Sequence, residues 1–569
     1  MPEVFLFLIL GQRHAYLLTH GKVLSFPRTR EPGPPRSKGA TVMRGCLMYF
    51  PVSEQIQTHS LLSCHSPPTL CSMEREPVIG LEVHVHLNTK SKLFCGCQNV
   101  SEAPEPNRYV CPVCMGFPGA LPVLNRQAVE WTILIGLSLR CQIASHTAFA
   151  RKSYFYPDLP KGYQISQYEE PLCVEGKIRV FSGSGEHEVR IIRVHLEEDA
   201  AKNIHDPARG TLVDYTRSGT PLVEIVTAPD LRGPQEAKAL LEDLQRTMRY
   251  LGVSNTDMEH GDFRVDANVS LREEKGPFHS KTEVKNLNSF RAVERALQYE
   301  IRRQSALWSQ GTPPVQSTRG WDDEKEETVE QRVKEEEADY RYFPEPDVPP
   351  LRIEPSLVEK LRQALPELPH EKEERFRRQF QLPTDQAHLL VEDRTLAAFA
   401  ENVFSEIAAW NADRTDVEAR DTPRIVKLAT NYLLGDFRTV LSEENVPVAE
   451  TKISPEDFAE IIVMLHRAEV NRNAIPHVLR EMQRTGGDAS TIVAEKGLAQ
   501  VSDDDKLRRL VQNVIVANPA EVDKVRGGKT EVLQFLVGRV MAETKGRANP
   551  HKVQELLRQE LGLSAPGRY

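Results

Sequence analysis

No apolar run in this chain approaches the roughly 20 residues that cross a bilayer, so no transmembrane helix is expected. A complete phosphate-binding loop is also missing. Gly527-Gly528-Lys529-Thr530 resembles the end of one, but Asp523 stands where the first glycine belongs and no strand signal precedes it. Gly183-Ser184-Gly185 reads as a hairpin turn, and no Ser or Cys nucleophile elbow is found. Excess basic charge is lacking too. The formal net charge is -9 over 569 residues, so any nucleic-acid surface must be local. If ATP is used, something other than a P-loop must hold it.

The composition, 40% hydrophobic and 27% charged, is that of a globular protein. The length predicts roughly two to four domains. The most informative stretch is Ile79–Asn88. Ile79, Leu81, Val83, Val85 and Leu87 fall on one side of a strand, and Gly80, Glu82, His84, His86 and Asn88 on the other. One face suits a core; the other carries a carboxylate beside two imidazoles.

Three later segments repeat the design. Ile192, Val194 and Leu196 lead into Glu197, Glu198 and Asp199. Phe263, Val265, Ala267, Val269 and Leu271 alternate with Arg264, Asp266, Asn268 and Ser270. Lys281, Glu283 and Lys285 share a face. One such strand is ordinarily half-exposed structure. Four of them, with acids on the polar side, predict a sheet whose open surface is an active-site floor. Carboxylates gathered without equal cations suit Mg²⁺, which takes oxygen ligands and brings phosphates with it.

Four of the nine cysteines form two close pairs, Cys95-Gly96-Cys97 and Cys111-Pro112-Val113-Cys114. Two chelating turns joined by a loop predict a tetrahedral, structural zinc site. The alternatives are buried free thiols, or disulfides in a secreted protein.

Residues 1–72 read as an extension, with seven Lys/Arg against three acids, many prolines and no sustained periodicity. A disordered segment is expected there, with translation starting at Met73; a mitochondrial transit peptide is the alternative. From Met73 to about residue 352 the texture is strands, turns and short helices, including Arg126–Leu139 and Gly233–Leu251. Asp322–Glu337 reads as a solvated helix or loop, and Pro344, Pro346, Pro349 and Pro350 as an extended linker. Residues 353–500 read as helical, with segments such as Leu357–Leu365, Glu371–Phe380, Asp385–Phe399 and Pro423–Leu434. Residues 501–569 read as a small helical tail, with Asn549-Pro550 opening its last helix. From Lys524 onward nine Lys/Arg stand against four Asp/Glu, and Lys545, Arg547, His551 and Lys552 surround one turn able to grip phosphates.

Several tracts together resemble one family. They are Val78–His84, Tyr154–Gln167, His195–Ala200, Arg217–Leu222, Val265–Asn268, Glu283–Ser289 and Asp339–Pro346. They are similar to the B subunit of the tRNA-dependent amidotransferase, GatB of the GatCAB complex, and the resemblance runs from Met73 to the C-terminus. It implies an α+β chain: a β-rich, cradle-shaped kinase domain, an all-helical domain and a YqeY-like tail. It also implies ATP-dependent phosphorylation of Glu on mischarged Glu-tRNA(Gln), and of Asp on Asp-tRNA(Asn), then amidation by glutamine-derived ammonia. GatA and GatC would be partners and the cytoplasm the location, with the mitochondrial matrix as alternative.

By resemblance, Glu82 and His84 belong to the magnesium-site strand, and Glu198 (or its neighbour Glu197), Asp266 and Glu283 complete the metal face. Arg151 and Lys161 are candidates for ATP phosphate contacts. Cys95, Cys97, Cys111 and Cys114 match the zinc knuckle of some members, and Lys545, Arg547 and Lys552 would meet tRNA. Thr216, His86 and His260 depart from the family pattern. A non-catalytic tRNA scaffold and a two-metal nuclease are the competing readings.

Overall fold

The computed structural model describes residues 8–10, 14–19, 22–27, 75–100, 103, 105–183, 185–333, 340–412, 422–500, 504–544 and 546–563. Met73 and Lys545 lie outside them. Within the first 72 residues, Leu8–Leu10, His14–Thr19 and Lys22–Pro27 form an antiparallel meander where the composition predicts disorder. The difference has a local cause. Tyr16, Thr19, Val23 and Phe26 are residue types that favour strands, and the prolines and basic residues of the segment concentrate after Phe26.

Nine strands make the main sheet. In chain order they are β1 (Arg75–His86), β2 (Gln142–Ile143), β3 (Cys173–Ser182), β4 (Gly185–Glu198), β5 (Pro221–Thr227), β6 (Phe263–Glu273), β7 (Thr282–Leu287), β8 (Ser317–Asp322) and β9 (Glu327–Val333). Their spatial order is β9-β8-β7-β6-β1-β5-β4-β3-β2. All neighbours run antiparallel except β7 and β8.

The expected alternation holds. Ile79, Leu81, Val83 and Val85 of β1 are buried, as are Val265, Ala267 and Val269 of β6. Helices α1 (Arg126–Ser138), α2 (Pro234–Leu251) and α3 (Phe290–Ser309) supply apolar partners to the same core, including Ile133, Leu244 and Leu297. α2 starts on Gly233-Pro234 and stops at Gly252, whose φ of 69° suits a left-handed cap.

Three readings change. Ile192 is exposed, because a bulge between Ile191 and Arg193 shifts the register of β4 and buries Ile191 instead. The charge-dense Asp322–Glu337 run contains β9 and its turn from β8, with Thr328 buried; charged residues on the strand mask its alternation. The proline-rich segment is extended as expected, yet it pairs with the body: Phe343–Pro344 with Ala150–Arg151, and Leu351–Arg352 with His146–Thr147.

Beyond it the chain is helical. Asp385–Phe399 is two helices, Thr384–Val391 and Arg394–Ala412, rather than one. A second core spans Phe376 to Val493 and a third spans Leu507 to Leu561. In the tail, the Asn549 side chain accepts from the His551 and Lys552 amides as the cap of Pro550–Glu560.

α2 also meets the helical part. Arg246 donates to Asp243 at 2.9 Å and lies 3.3 Å from His388, which is 3.0 Å from Glu373. Burial pushes the Asp243 carboxyl up to about 6, against the pull of Arg246 and His388. The folded state thus prefers the protonated acid. Stability falls as pH rises from the ordinary Asp range to about 6, by on the order of 2 kcal/mol. Asp243→Asn keeps an acceptor for Arg246 and should raise the melting temperature by a few degrees at pH 7.5, with no difference at pH 4. Equal melting temperatures at both pH values would contradict this.

Candidate functional site

The polar sheet face is built by register. His84 of β1 lies opposite Glu224 of β5, and Glu224 opposite His195 of β4. On the other side, Glu82 faces Asp266 of β6 and His84 faces Arg264. β7 adds Glu283 opposite Asn268. Register therefore brings side chains distant in sequence into one row.

The row contains two groups able to hold a cation. His84, Glu197 and Glu224 each offer a ligand atom, all within 4.8 Å of one another, and so do Glu82, Asp266 and Glu283. In the first, His84 Nε2 lies 3.7 Å from Glu197 and 3.6 Å from Glu224. His195 Nε2 stands 3.2 Å from Glu224 and 3.6 Å from Glu197. Ser166 donates to Glu197 at 2.9 Å.

Burial would neutralise these groups, but they hold one another charged. Desolvation raises the Glu224 carboxyl, yet His195 and His84 keep it well below its ordinary value. Burial lowers His195, and Glu224 with Glu197 overcomes this, bringing it to about 9. Two buried carboxylates share the protonated imidazole of His195.

The second group already has a cation among its acids. Lys285 Nζ lies 2.5 Å from Asp266 and 3.0 Å from Glu283. A register shift between β6 and β7 allows this: Val265 pairs with Leu287 and Ala267 with Val284, leaving the extra residue in β7. Asn286 takes φ 64° there and donates to the Trp321 carbonyl at 2.9 Å. Asn268 donates to Glu82 and Thr318 to Glu283, each at 2.9 Å. Oxygen-rich sets of this kind suit Mg²⁺.

Of the residues expected from sequence, Glu82, Asp266 and Glu283 come together, and His84 joins Glu197. Glu198 does not: adjacent strand residues face opposite ways. Glu198 points behind the row, where Lys161 lies 2.6 Å away and the Ile165 amide donates at 2.9 Å. Lys161 is thereby matched to a carboxylate rather than left for a phosphate. Arg151 is matched likewise, donating to Glu345 at 2.6 and 2.9 Å and to Asp347 at 3.0 Å.

Sequence reasoning misses Glu224, His195 and Lys285 as site residues. Glu224 is one acid in the apolar strand Pro221–Thr227, and a lone carboxylate in such a run is the signal that could have found it. His86 sits at the edge of the row, 2.6 Å from Asp199 and 3.3 Å from Asp262. Asp199 also pairs with Arg264 at 2.8 Å and Arg217 at 2.9 Å. Thr216 and His260 lie elsewhere, partnered by Asn107 and Asp257.

Cys95, Cys97, Cys111 and Cys114 form a third group within the same 4.8 Å limit. Cys111 and Cys114 sulfurs are 3.9 Å apart, far beyond a disulfide and close to the roughly 3.8 Å edge of a tetrahedral zinc-thiolate site. Hydrogen bonding with Cys95 draws the Cys114 thiol down to about 5, while burial pushes Cys97 up to about 11. The residues fit zinc.

In the tail, Arg547 donates to the carbonyls of Thr544 at 3.1 Å and Gly497 at 3.4 Å, and Lys552 lies 2.5 Å from Asp504. Two of the three expected tRNA contacts thus have intramolecular partners.

An acidic sheet face with cation-ready groups, joined to a helical region and tail, is the kind of surface that suits metal-assisted chemistry on charged groups. Comparison narrows it. The GatB/GatE catalytic domain matches residues 77–359 and the GatB domain matches residues 418–561. Proteins named as the B subunit of aspartyl/glutamyl-tRNA(Asn/Gln) amidotransferase are similar over nearly their whole length. That of Thermodesulfovibrio yellowstonii is 45% identical over 486 residues, covering 85% of this chain and 99% of the relative. That of Thermomicrobium roseum is 46% identical over 493 residues, covering 86% and 99%. That of Myxococcus xanthus is 44% identical over 489 residues, covering 86% and 98%. The chain belongs to the GatB family.

Elemental analysis of the purified chain should find about one zinc, lost in Cys111→Ser. A metal-free protein of undiminished stability would contradict the assignment.

Proposed function

We propose that the chain is the B subunit of an aspartyl/glutamyl-tRNA amidotransferase, working with GatA and GatC, and that its open sheet face forms the floor of a cradle-shaped kinase site. The substrates are ATP and a tRNA carrying the wrong amino acid, Glu-tRNA(Gln) or Asp-tRNA(Asn). The observation that carries this reading is the single row formed by Glu82, Asp266, Glu283, His84, Glu197 and Glu224. The names of the relatives supply the substrate class.

A carboxylate is a poor electrophile towards ammonia, since oxide is a poor leaving group. Its oxygen attacks the γ-phosphorus of ATP, ADP departs, and an acyl phosphate results. Ammonia, released from glutamine on GatA, then adds to the acyl carbon and phosphate leaves. Divalent cations, when bound, supply charge neutralisation for the phosphate oxygens. Glu82, Asp266 and Glu283 would hold one, and His84, Glu197 and Glu224 another. Lys285, freed from Asp266, would reach a phosphate oxygen. The floor offers no protein nucleophile in this scheme; it positions and neutralises.

A soluble compartment, the cytoplasm, accompanies this reading. No helix among the described residues is long and apolar enough to cross a membrane.

The test is reconstitution of this chain with GatA and GatC, supplied with Glu-tRNA(Gln) or Asp-tRNA(Asn), glutamine and ATP. ATP hydrolysis coupled to amidation is expected. Glu82→Ala, Asp266→Asn and Glu224→Gln should each lower it by about 100-fold or more, with the fold retained. Unchanged activity in all three would remove the site assignment. tRNA binding without ATP hydrolysis would favour a scaffold, and Mg²⁺-dependent RNA cleavage without ATP a nuclease. Replacing Lys545 and Lys552 together by Ala should weaken tRNA binding several-fold and flatten its salt dependence. Equal affinity would leave the tail a purely structural element.

A further inference from the structure

Lys92 is fully buried, with no measurable exposure. Among the described residues no carboxylate pairs with it. The one polar partner of its ammonium there is the sulfur of Cys114, 3.9 Å away. Its backbone is fixed from both sides: the amide donates to the Cys97 carbonyl at 3.0 Å, and Asn125 donates to its carbonyl at 3.4 Å. The stem runs beside Gly219, where an added Cβ would come within 3.8 Å of the lysine Cδ and 3.4 Å of the Cys114 Cβ.

An ammonium taken out of water costs several kcal/mol unless a negative group compensates it. A neutral thiol is a weak acceptor and compensates little. A zinc ion held by four thiolates carries a net charge of about −2 and spreads it over the sulfurs. The Cys111 amide also donates to the Cys114 sulfur, at 3.1 Å, so Cys114 is the sulfur towards which positive groups converge.

We infer that Lys92 is the buried counter-cation of the zinc-thiolate knuckle, a positioning residue that stabilises the metal-bound cluster through its charge. The inference rests on the cysteine cluster holding metal and is independent of the kinase reading. It predicts effects of unequal size in two states. With zinc bound, removing the ammonium leaves the anionic cluster uncompensated. Without zinc the cluster's charge of about −2 is gone, so removing the ammonium strands far less charge.

The test uses the full chain. Zinc affinity is measured by competition with a chromophoric chelator, and melting temperature with and without zinc. Lys92→Met should lower zinc affinity by about 10–100-fold, while the melting temperature of the zinc-free protein falls by less than that of the zinc-bound protein. Lys92→Gln, which keeps a donor but not the charge, should lose affinity similarly. It also serves if the methionine variant fails to accumulate. Unaltered zinc affinity in the glutamine variant would overturn the inference. So would equal loss of stability with and without zinc, which would make Lys92 a packing residue.

Discussion

Everything at the site depends on the main sheet having one face to bury. α1, α2 and α3 cover the apolar side chains of β1, β4, β5 and β6. Strand alternation then sends every second residue to the opposite side. Glu82, His84, Glu224, His195, Asp266 and Glu283 therefore meet because the core is apolar, with no separate device to gather them. The cost is like charge crowded in a partly dry place. His195 protonates, and Lys285 lies against Asp266 and Glu283, because buried carboxylates at these separations need positive neighbours.

The cysteine knuckle and the sheet are joined by a small cavity lined by Cys95, Cys114, Phe117, Lys161, Tyr163 and Glu198. Glu198 thus has a place, though on the far side of its strand from Glu197. One residue of alternation separates an acid in the cation-ready row from an acid paired with Lys161. The bulge at Ile191–Arg193 sets which is which, since it fixes the phase of the strand end.

Much of this is legible in the sequence. Regular alternation in β1 and β6 marks both their buried and their open faces, and the cysteine spacing marks the knuckle. What escapes has physical causes. A bulge is invisible to a period-two count, so Ile192 is placed inward. Beyond it, the buried Val194 and Leu196 already set Glu197 on the polar face, and the choice of Glu198 follows the family resemblance instead. β5 is apolar on both faces apart from Glu224 and its last residue, Thr227, so no alternation marks it. β9 is hidden because Glu327, Glu330 and Arg332 give it the texture of a solvated segment. Arg151 and Lys161 look available to phosphates because pairing with Glu345 and Glu198 depends on contacts across 194 and 37 residues.

The central claim is that these acids bind divalent cations to act on ATP. Anomalous scattering from crystals soaked with Mn²⁺ and a non-hydrolysable ATP analogue tests it most directly. Peaks between His84, Glu197 and Glu224, and between Glu82, Asp266 and Glu283, with Lys285 displaced towards the phosphates, are the predicted result. Nucleotide and manganese bound elsewhere, with Lys285 still against Asp266, would contradict the account.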